Sequence, residues 1–266
     1  MNKLAIIQII TAFLAGGAAA TALSFASERV SSRHAGIILS FPSTSVIAYF
    51  FLGWSLTPER VPAVVPSAVA AIGLAVVFAV VYSATASRIA KNISSKLGQI
   101  VLSASAGFGV WGVYALLLKH ARLTNISAGI IVCLILCGVC HIITTRQPKA
   151  KPVALVYTPA QKILRMLYIG GVIGFAVLIS KIAWPFWGGV FTMFPAAYSS
   201  TLMILHWYYG PAILFPTIRK TPLGAISPLV YSLVVALTFP MFGFVWGSAV
   251  ALCVSVGVAV GLANIS

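Results

Sequence analysis

The chain of 266 residues contains no aspartate and only two glutamates, Glu28 and Glu59, against 17 lysines and arginines. Neither glutamate falls inside an apolar run. Carboxylate-based sodium or proton coupling within a bilayer therefore has no residue to use. A glycine-rich phosphate loop, a His-Glu-x-x-His helix and a Ser/His/Asp set are also missing. These absences argue against primary active transport and leave an enzyme only His, Tyr and Ser to work with. No cofactor or metal site is expected. Charge of either sign is scarce as well, at 7% of residues, while 61% are hydrophobic, so too little polar surface exists to coat a soluble domain. Mean hydropathy is +1.07, the value of an integral membrane protein.

Crossing a hydrocarbon core of about 30 Å as helix takes roughly 20 apolar residues. The short alternating segments of a β-barrel are not seen. Apolar runs predict an all-α, polytopic transmembrane helical bundle of nine spans, at 4–26, 35–56, 61–85, 97–118, 124–145, 160–182, 184–209, 222–243 and 245–263. Pro62, Pro66, Pro228 and Pro240 are expected to mark helix ends or kinks. The first span, with Lys3 and a small-residue stretch, has features of a secretory signal and is read as a retained helix. With nine spans, twelve basic residues fall on one side, among them Arg29, Arg33, Arg88, Arg146, Arg165 and Arg219. Five fall on the other: Lys3, Arg60, Lys119, Arg122 and Lys181. The positive-inside rule then makes the richer side cytoplasmic, in an inner membrane, with the N-terminus outside and the C-terminus inside. That surface would attract anionic lipid headgroups. Nucleic acid is not expected as a partner, because the charges are scattered over short loops.

One phrase occurs twice. "GIILSFPSTS" covers residues 36–45 and "GVFTMFPAAY" covers 189–198, each placing Phe-Pro five residues after a glycine and ahead of an aromatic-rich helix ending near Gly53 or Gly210. Aligning Gly36 with Gly189 divides the chain into a first four-span unit (1–120), a linker helix and basic loop (121–158) and a second four-span unit (159–266). One linker crossing between two four-span units starts the second on the opposite side, which gives an inverted-topology repeat. Proline removes a helix hydrogen bond, so Pro42 and Pro195 should interrupt or begin helices inside the bilayer. Such half-helix N-termini favour an anion. In an inverted pair the two breaks would approach each other near the midplane, where transporters build their sites.

At these residues the chain resembles the GlpM-like family of small four-span membrane proteins. Its members carry Gly-x4-Phe-Pro-Thr/Ser followed by an aromatic helix ending in Gly. The resemblance runs over 35–85 and 187–243 and implies two such units fused through a linker helix. It implies that single-unit relatives pair as antiparallel dimers, and it supplies no mechanism. The second copy has Ala196 in place of the family's hydroxyl residue.

The expected substrate-binding residues are Gly36, Phe41, Pro42, Ser43 and Thr44 in the first unit and Gly189, Phe194, Pro195, Tyr198 and Ser199 in the second. Gly36 and Gly189 would let backbones approach, while Arg33, Lys181 and His206 would handle charge. His34 is a weaker candidate at the mouth of the first motif. Cys133, Cys137 and Cys140 share a helix face and are read as packing rather than metal ligands. Gly170/Gly174 and Gly257/Gly261 read as close helix contacts. The leading expectation is a secondary carrier or flippase, not an enzyme, for a small anionic or amphiphilic solute such as a lipid-linked phosphate, acting alone or as a homodimer. The rival reading is a non-transporting accessory protein of an envelope-polymer or lipid pathway.

Overall fold

A computed structural model describes residues 3–29, 42–147, 158–183 and 185–265. Gly36, Phe41, Arg33 and His34 lie outside the described residues. Every regular element among the described residues is helical. Seven helical segments are long and apolar enough to cross a membrane, and Ser43–Leu56 is a shorter apolar helix. The chain is a helical membrane protein.

The first segment runs as α1 (Lys3–Thr11), a π-turn (Ala12–Gly16) and α2 (Gly17–Arg29). After Pro42 comes α3 (Ser43–Leu56), then a 3-10 stretch (Pro58–Val64) leading into α4 (Val65–Ile89). Next are α5 (Lys96–His120), α6 (Ile126–Thr145) and α7 (Pro159–Ile182). A broken segment follows, α8 (Phe186–Thr192) and α9 (Ala196–Tyr209). After the short turns α10 (Leu214–Ile218) and α11 (Thr221–Gly224), the chain ends in α12 (Ile226–Ile265), which is bent at Gly243 with φ 72°.

That bend reverses the chain. Ser227 and Ser255, 28 positions apart, have hydroxyls 2.8 Å from each other. In a straight helix they would be about 42 Å apart. Thr238 Oγ1 also donates to the Gly247 carbonyl at 3.1 Å, so α12 is a helical hairpin. The reversal falls at Gly243, three residues past Pro240, because glycine can take the positive φ that the turn requires.

α4 is the central post. It is buried along nearly its whole length, with Val65, Val69, Leu74 and Phe78 fully enclosed, and α5, α6 and α8 pack around it. Cys133, Cys137 and Cys140 form the buried face of α6, and the Cys133 backbone comes close to Gly73 on α4. The opposite face exposes Ile131, Leu134, Ile135 and Val139. Apolar side chains outward and small ones inward is the pattern of a helix against lipid, where close packing holds helices together in place of water exclusion.

The first segment and α7 cross in antiparallel sense. Lys181 reaches Gln8, Arg165 reaches Phe25, and Gly174 packs on Phe13. The closest approach lies at the π-turn. A Cβ at Gly17 would sit 2.6 Å from the Met166 carbonyl oxygen, and one at Gly170 would collide with the Phe13 carbonyl oxygen. The expected contact at Gly170/Gly174 is therefore present. Gly257 and Gly261 meet nothing within 4 Å, so the contact expected there is not made within the described chain. Their side of α12 faces outward, and four-residue glycine spacing alone does not say whether a neighbour exists.

Candidate functional site

The helix ends differ in a telling way. Ser95 Oγ, Asn125 Oδ1 and Thr158 Oγ1 accept hydrogen bonds from backbone N–H groups in the first turns of α5, α6 and α7, and Gln161 completes a capping box at Thr158. α3 and α9 have proline at that position, with φ −75° and ψ 36° at Pro42 and φ −74° and ψ 45° at Pro195, and no side chain caps either helix. Each is 14 residues long. In α3 the first internal bond is from Val46 N–H to the Pro42 carbonyl at 2.7 Å, and in α9 it is from Ser199 N–H to the Pro195 carbonyl at 2.8 Å. The donors ahead of those bonds belong to the turn that a helix cannot satisfy from within itself, and one of them, Ala196 N–H, donates to the Phe194 carbonyl at 2.7 Å.

Both first turns face one cavity of about 60 Å³. Pro42, Thr44 and Ser45 line it from α3, and Phe194, Pro195, Ala197 and Tyr198 line it from the second break. Ile72 and Ala75 of α4, Pro228 of α12, and Thr192 and Met193 at the end of α8 complete the walls. Ser45 Oγ is occupied by the Pro42 carbonyl at 3.0 Å, and Thr192 Oγ1 by the Gly188 carbonyl at 2.7 Å. Thr44 Oγ1 is buried without a hydrogen-bond partner in a residue only 8% exposed. Buried hydroxyls without partners are rare in native proteins and call for a physical reason.

Local packing fixes the second break. A Cβ at Gly189 would overlap the Val64 carbonyl and the Ser67 hydroxyl, so glycine is what allows α8 to lie directly on the start of α4. Phe194 stacks on Phe108 at 5.3 Å between ring centres and meets Trp111 edge-on at 5.0 Å. Behind the breaks runs a seam of polar contacts. Ser43 bonds Ser24 at 2.9 Å, and Tyr168 bonds Ser199 at 2.8 Å. Arg165 donates to Thr201 at 3.2 Å and lies over the Phe25 ring at 5.2 Å.

The expected site residues thus separate. Pro42, Thr44, Phe194, Pro195 and Tyr198 meet at the cavity, while Ser43, Ser199 and Gly189 support it from behind. Lys181 does not join them. Its amino group donates to Gln8 Oε1 at 2.9 Å and to the Ser55 carbonyl at 3.1 Å, at the far end of α3, about 18 Å from Ser43 along the helix. His206 does not join them either. It is fully buried about 13 Å further along α9, where Tyr82 Oη lies 3.1 Å from Nδ1 and Gln99 Oε1 lies 3.0 Å from Nε2. With Gln99 Nε2 donating to the Ile93 carbonyl, the chain of donors runs Tyr82 to His206 to Gln99 to Ile93 and holds a neutral imidazole that ties α9 to α4 and α5.

Sequence reasoning missed Arg165, which counts there as one more basic residue near a membrane surface. It is 2% exposed, buried between α7 and α9. It also missed the walls supplied by Ile72, Ala75 and Pro228. Helical spacing assigns residues to one side of their own helix and does not name the neighbour.

No family model, no curated protein and no solved structure matches the chain.

Proposed function

We propose that the protein is a membrane carrier for a small anion, built from two four-span units in inverted orientation around one linker span, with its site between the two proline breaks. The observation that carries this reading is the convergence of two uncapped helix N-termini on one cavity. Each such terminus bears about half a positive charge, and broken helices facing each other at a repeat interface are how carriers hold anionic groups.

The inverted repeat has independent support. Phe13 and Met166, Gly17 and Gly170, Pro42 and Pro195, and Thr57 and Gly210 are each separated by 153 positions. The contacts are reciprocal: Gly17 meets Met166, and Gly170 meets Phe13. Residue i touching j while the equivalents of j and i touch in return is the signature of a twofold relation. At an antiparallel helix crossing, that axis lies across the helices, in the plane of the membrane. Thr57 and Gly210 both take positive φ at the ends of the 14-residue helices, and a proline follows each. Counting the α12 hairpin as two passes and the shorter apolar helix α3 as one more, the seven spanning segments are compatible with the nine crossings the reading needs. The grouping of the basic residues into two sides gains support from contacts that join Lys181 to Gln8 and Ser55 and Lys119 to Trp187 on one predicted side, and Arg219 to Gln147 and Lys96 to Trp207 on the other.

The test is flux of chloride, nitrate, acetate and phosphate into proteoliposomes, with Pro42→Ala and Pro195→Ala combined so that both helices can continue through their breaks. Anion flux that falls at least about tenfold in a monodisperse double variant supports the site. Undiminished flux sinks the site assignment. Absence of flux for every anion, together with co-purification of a stoichiometric partner, would favour a non-transporting accessory role.

A further inference from the structure

We infer that the solute reaches the two breaks from the basic side of the membrane, along a buried polar seam between α2, α7 and α9 whose fixed charge, Arg165, selects for anions. The inference rests on the inverted repeat proposed above and adds the side of entry and the residue that sets the sign of the solute.

The seam stands out when each of its residues is compared with the one 153 positions away. Arg165 donates to Thr201 at 3.2 Å, Tyr168 and Ser199 share a hydrogen bond of 2.8 Å, and Ser24 and Ser43 share one of 2.9 Å. In the same order, the counterparts are Ala12, Ala48, Ala15, Val46, Val177 and Ala196. Every polar side chain of one half is a hydrocarbon in the other. Ala12, Ala48, Val177 and Ala196 belong to a single buried apolar cluster with Phe51, Ile169 and Ile173. The two halves lie on opposite sides of the crossing at Gly17 and Gly170. Arg165 comes five residues before Gly170 and Ser24 seven after Gly17, on the stretches that lead to the basic ends of α7 and α2 at Lys162 and Arg29. At its inner end the seam meets both breaks, since Ser43 follows Pro42 directly and Ser199 closes the first turn of α9.

Arg165 gives the seam its sign. It is 2% exposed and starts about 9 Å inside the first residue of α7, so it does not run along the lipid surface to the headgroups as a snorkelling arginine does. An ionisable group held inside a membrane segment is costly and marks an ion path or its partner. Among the described side chains of the seam the charge is Arg165's alone, and it is positive. At an effective protein dielectric of about 20, a unit charge about 8 Å away changes the local concentration of a monovalent ion roughly thirtyfold, raising it for anions and lowering it for cations. The contrast between the halves also sets which one opens. Hydroxyls and a guanidinium that part from one another are taken up by water, so parting the seam loses little. Parting the apolar cluster exposes hydrocarbon to water, at a cost that grows with its area. Ser24, Ser43, Ser199 and Thr201 are all buried, so the seam is closed here, and it is the half that admits water and solute first.

The experiment measures thiol reactivity in the full-length protein after Cys133, Cys137, Cys140 and Cys253 are replaced. Ser24→Cys and Ser199→Cys are compared with the counterpart variants Val177→Cys and Val46→Cys in membrane vesicles of both orientations. The probes are two methanethiosulfonates of similar size, one ending in a sulfonate and the other in a trimethylammonium, with each rate divided by that of a small thiol in solution. Positions 24 and 199 should react from the basic side, at least about tenfold faster than 177 and 46, and at least about tenfold faster with the sulfonate than with the ammonium. Arg165→Met should erase the preference for the sulfonate, while Arg165→Lys, which keeps the charge, should retain it. The pattern over the four positions leaves Arg165 unchanged, so it tests the seam even if Arg165→Met is not monodisperse. Equal reactivity in the two halves, reaction from the opposite side, no reaction at 24 and 199, or a sulfonate preference that survives Arg165→Met would each overturn the inference. The expected labelling without anion flux in liposomes would uphold the seam and remove the carrier. Anion flux with positions 24 and 199 unreactive would uphold the carrier and remove the seam.

Discussion

A single methyl group placed at Gly17 or Gly170 probes the crossing on which the two halves of the molecule meet. At Gly17 the added Cβ would lie 2.6 Å from the Met166 carbonyl oxygen and 2.8 Å from the Gly170 Cα. Comfortable carbon contacts are about 3.5–4.0 Å, so the helices must part by about 1 Å, and a gap of that size forfeits a quarter to a half of each neighbouring contact. Overpacking of this kind costs about 1–3 kcal/mol. For a chain of this size that is a fall in Tm of about 2–12 °C. Gly171 is the control, because its Cβ would meet only Phe13 Cε2, at 3.9 Å. Thermal unfolding in detergent, followed by intrinsic fluorescence, should rank Gly17→Ala and Gly170→Ala together and well below Gly171→Ala. The double variant Gly17→Ala/Gly170→Ala should lose less than the two single losses combined, since the first substitution has already parted the helices. Equal Tm for all three single variants would refute the close crossing.

Thr57→Gly should raise stability by about 1 kcal/mol, because Thr57 is exposed at φ 99° after α3, while Gly210, which follows α9, accepts a positive φ without strain; Gly210→Thr should do the opposite in the same thermal assay. Tyr82→Phe should cost about 1–3 kcal/mol by leaving His206 Nδ1 buried without its donor, measured as a lower Tm. Lys181→Gln should leave anion flux within about threefold, since its contacts to Gln8 and Ser55 lie at the opposite end of α3 from the cavity. A larger loss would bring Lys181 back as a residue that acts on the ion.

Much of the frame was legible in the sequence because membranes impose few options. Long apolar runs gave the helical bundle, and proline chemistry placed the starts of α3 and α9 directly after Pro42 and Pro195. Gly189 announced a close backbone approach through its place in the repeated phrase, and the structure supplies its partner in α4. The roles of single polar residues were less legible. Lys181 and His206 looked like charge handlers because they sit near the motifs in sequence, yet side-chain direction carries one to the end of α3 and the other into a closed hydrogen-bond chain. Arg165 looked like a surface charge, six residues inside the start of α7, and turns inward to Thr201 instead. Thr44 stood out only as one hydroxyl among three; that Ser43 and Ser45 are occupied and Thr44 is not depends on Ser24 and on the Pro42 carbonyl, which no local pattern displays.

The claim on which the rest depends is that the two units cross the membrane in opposite senses, and it can be measured directly. Single cysteines at Arg33 and Ala183, introduced after replacing Cys133, Cys137, Cys140 and Cys253, would be labelled in intact cells with an impermeant thiol reagent. Labelling at position 183 and protection at position 33 is the predicted result. Identical behaviour at the two positions would contradict the inverted arrangement and, with it, the meeting of the two breaks as an anion site.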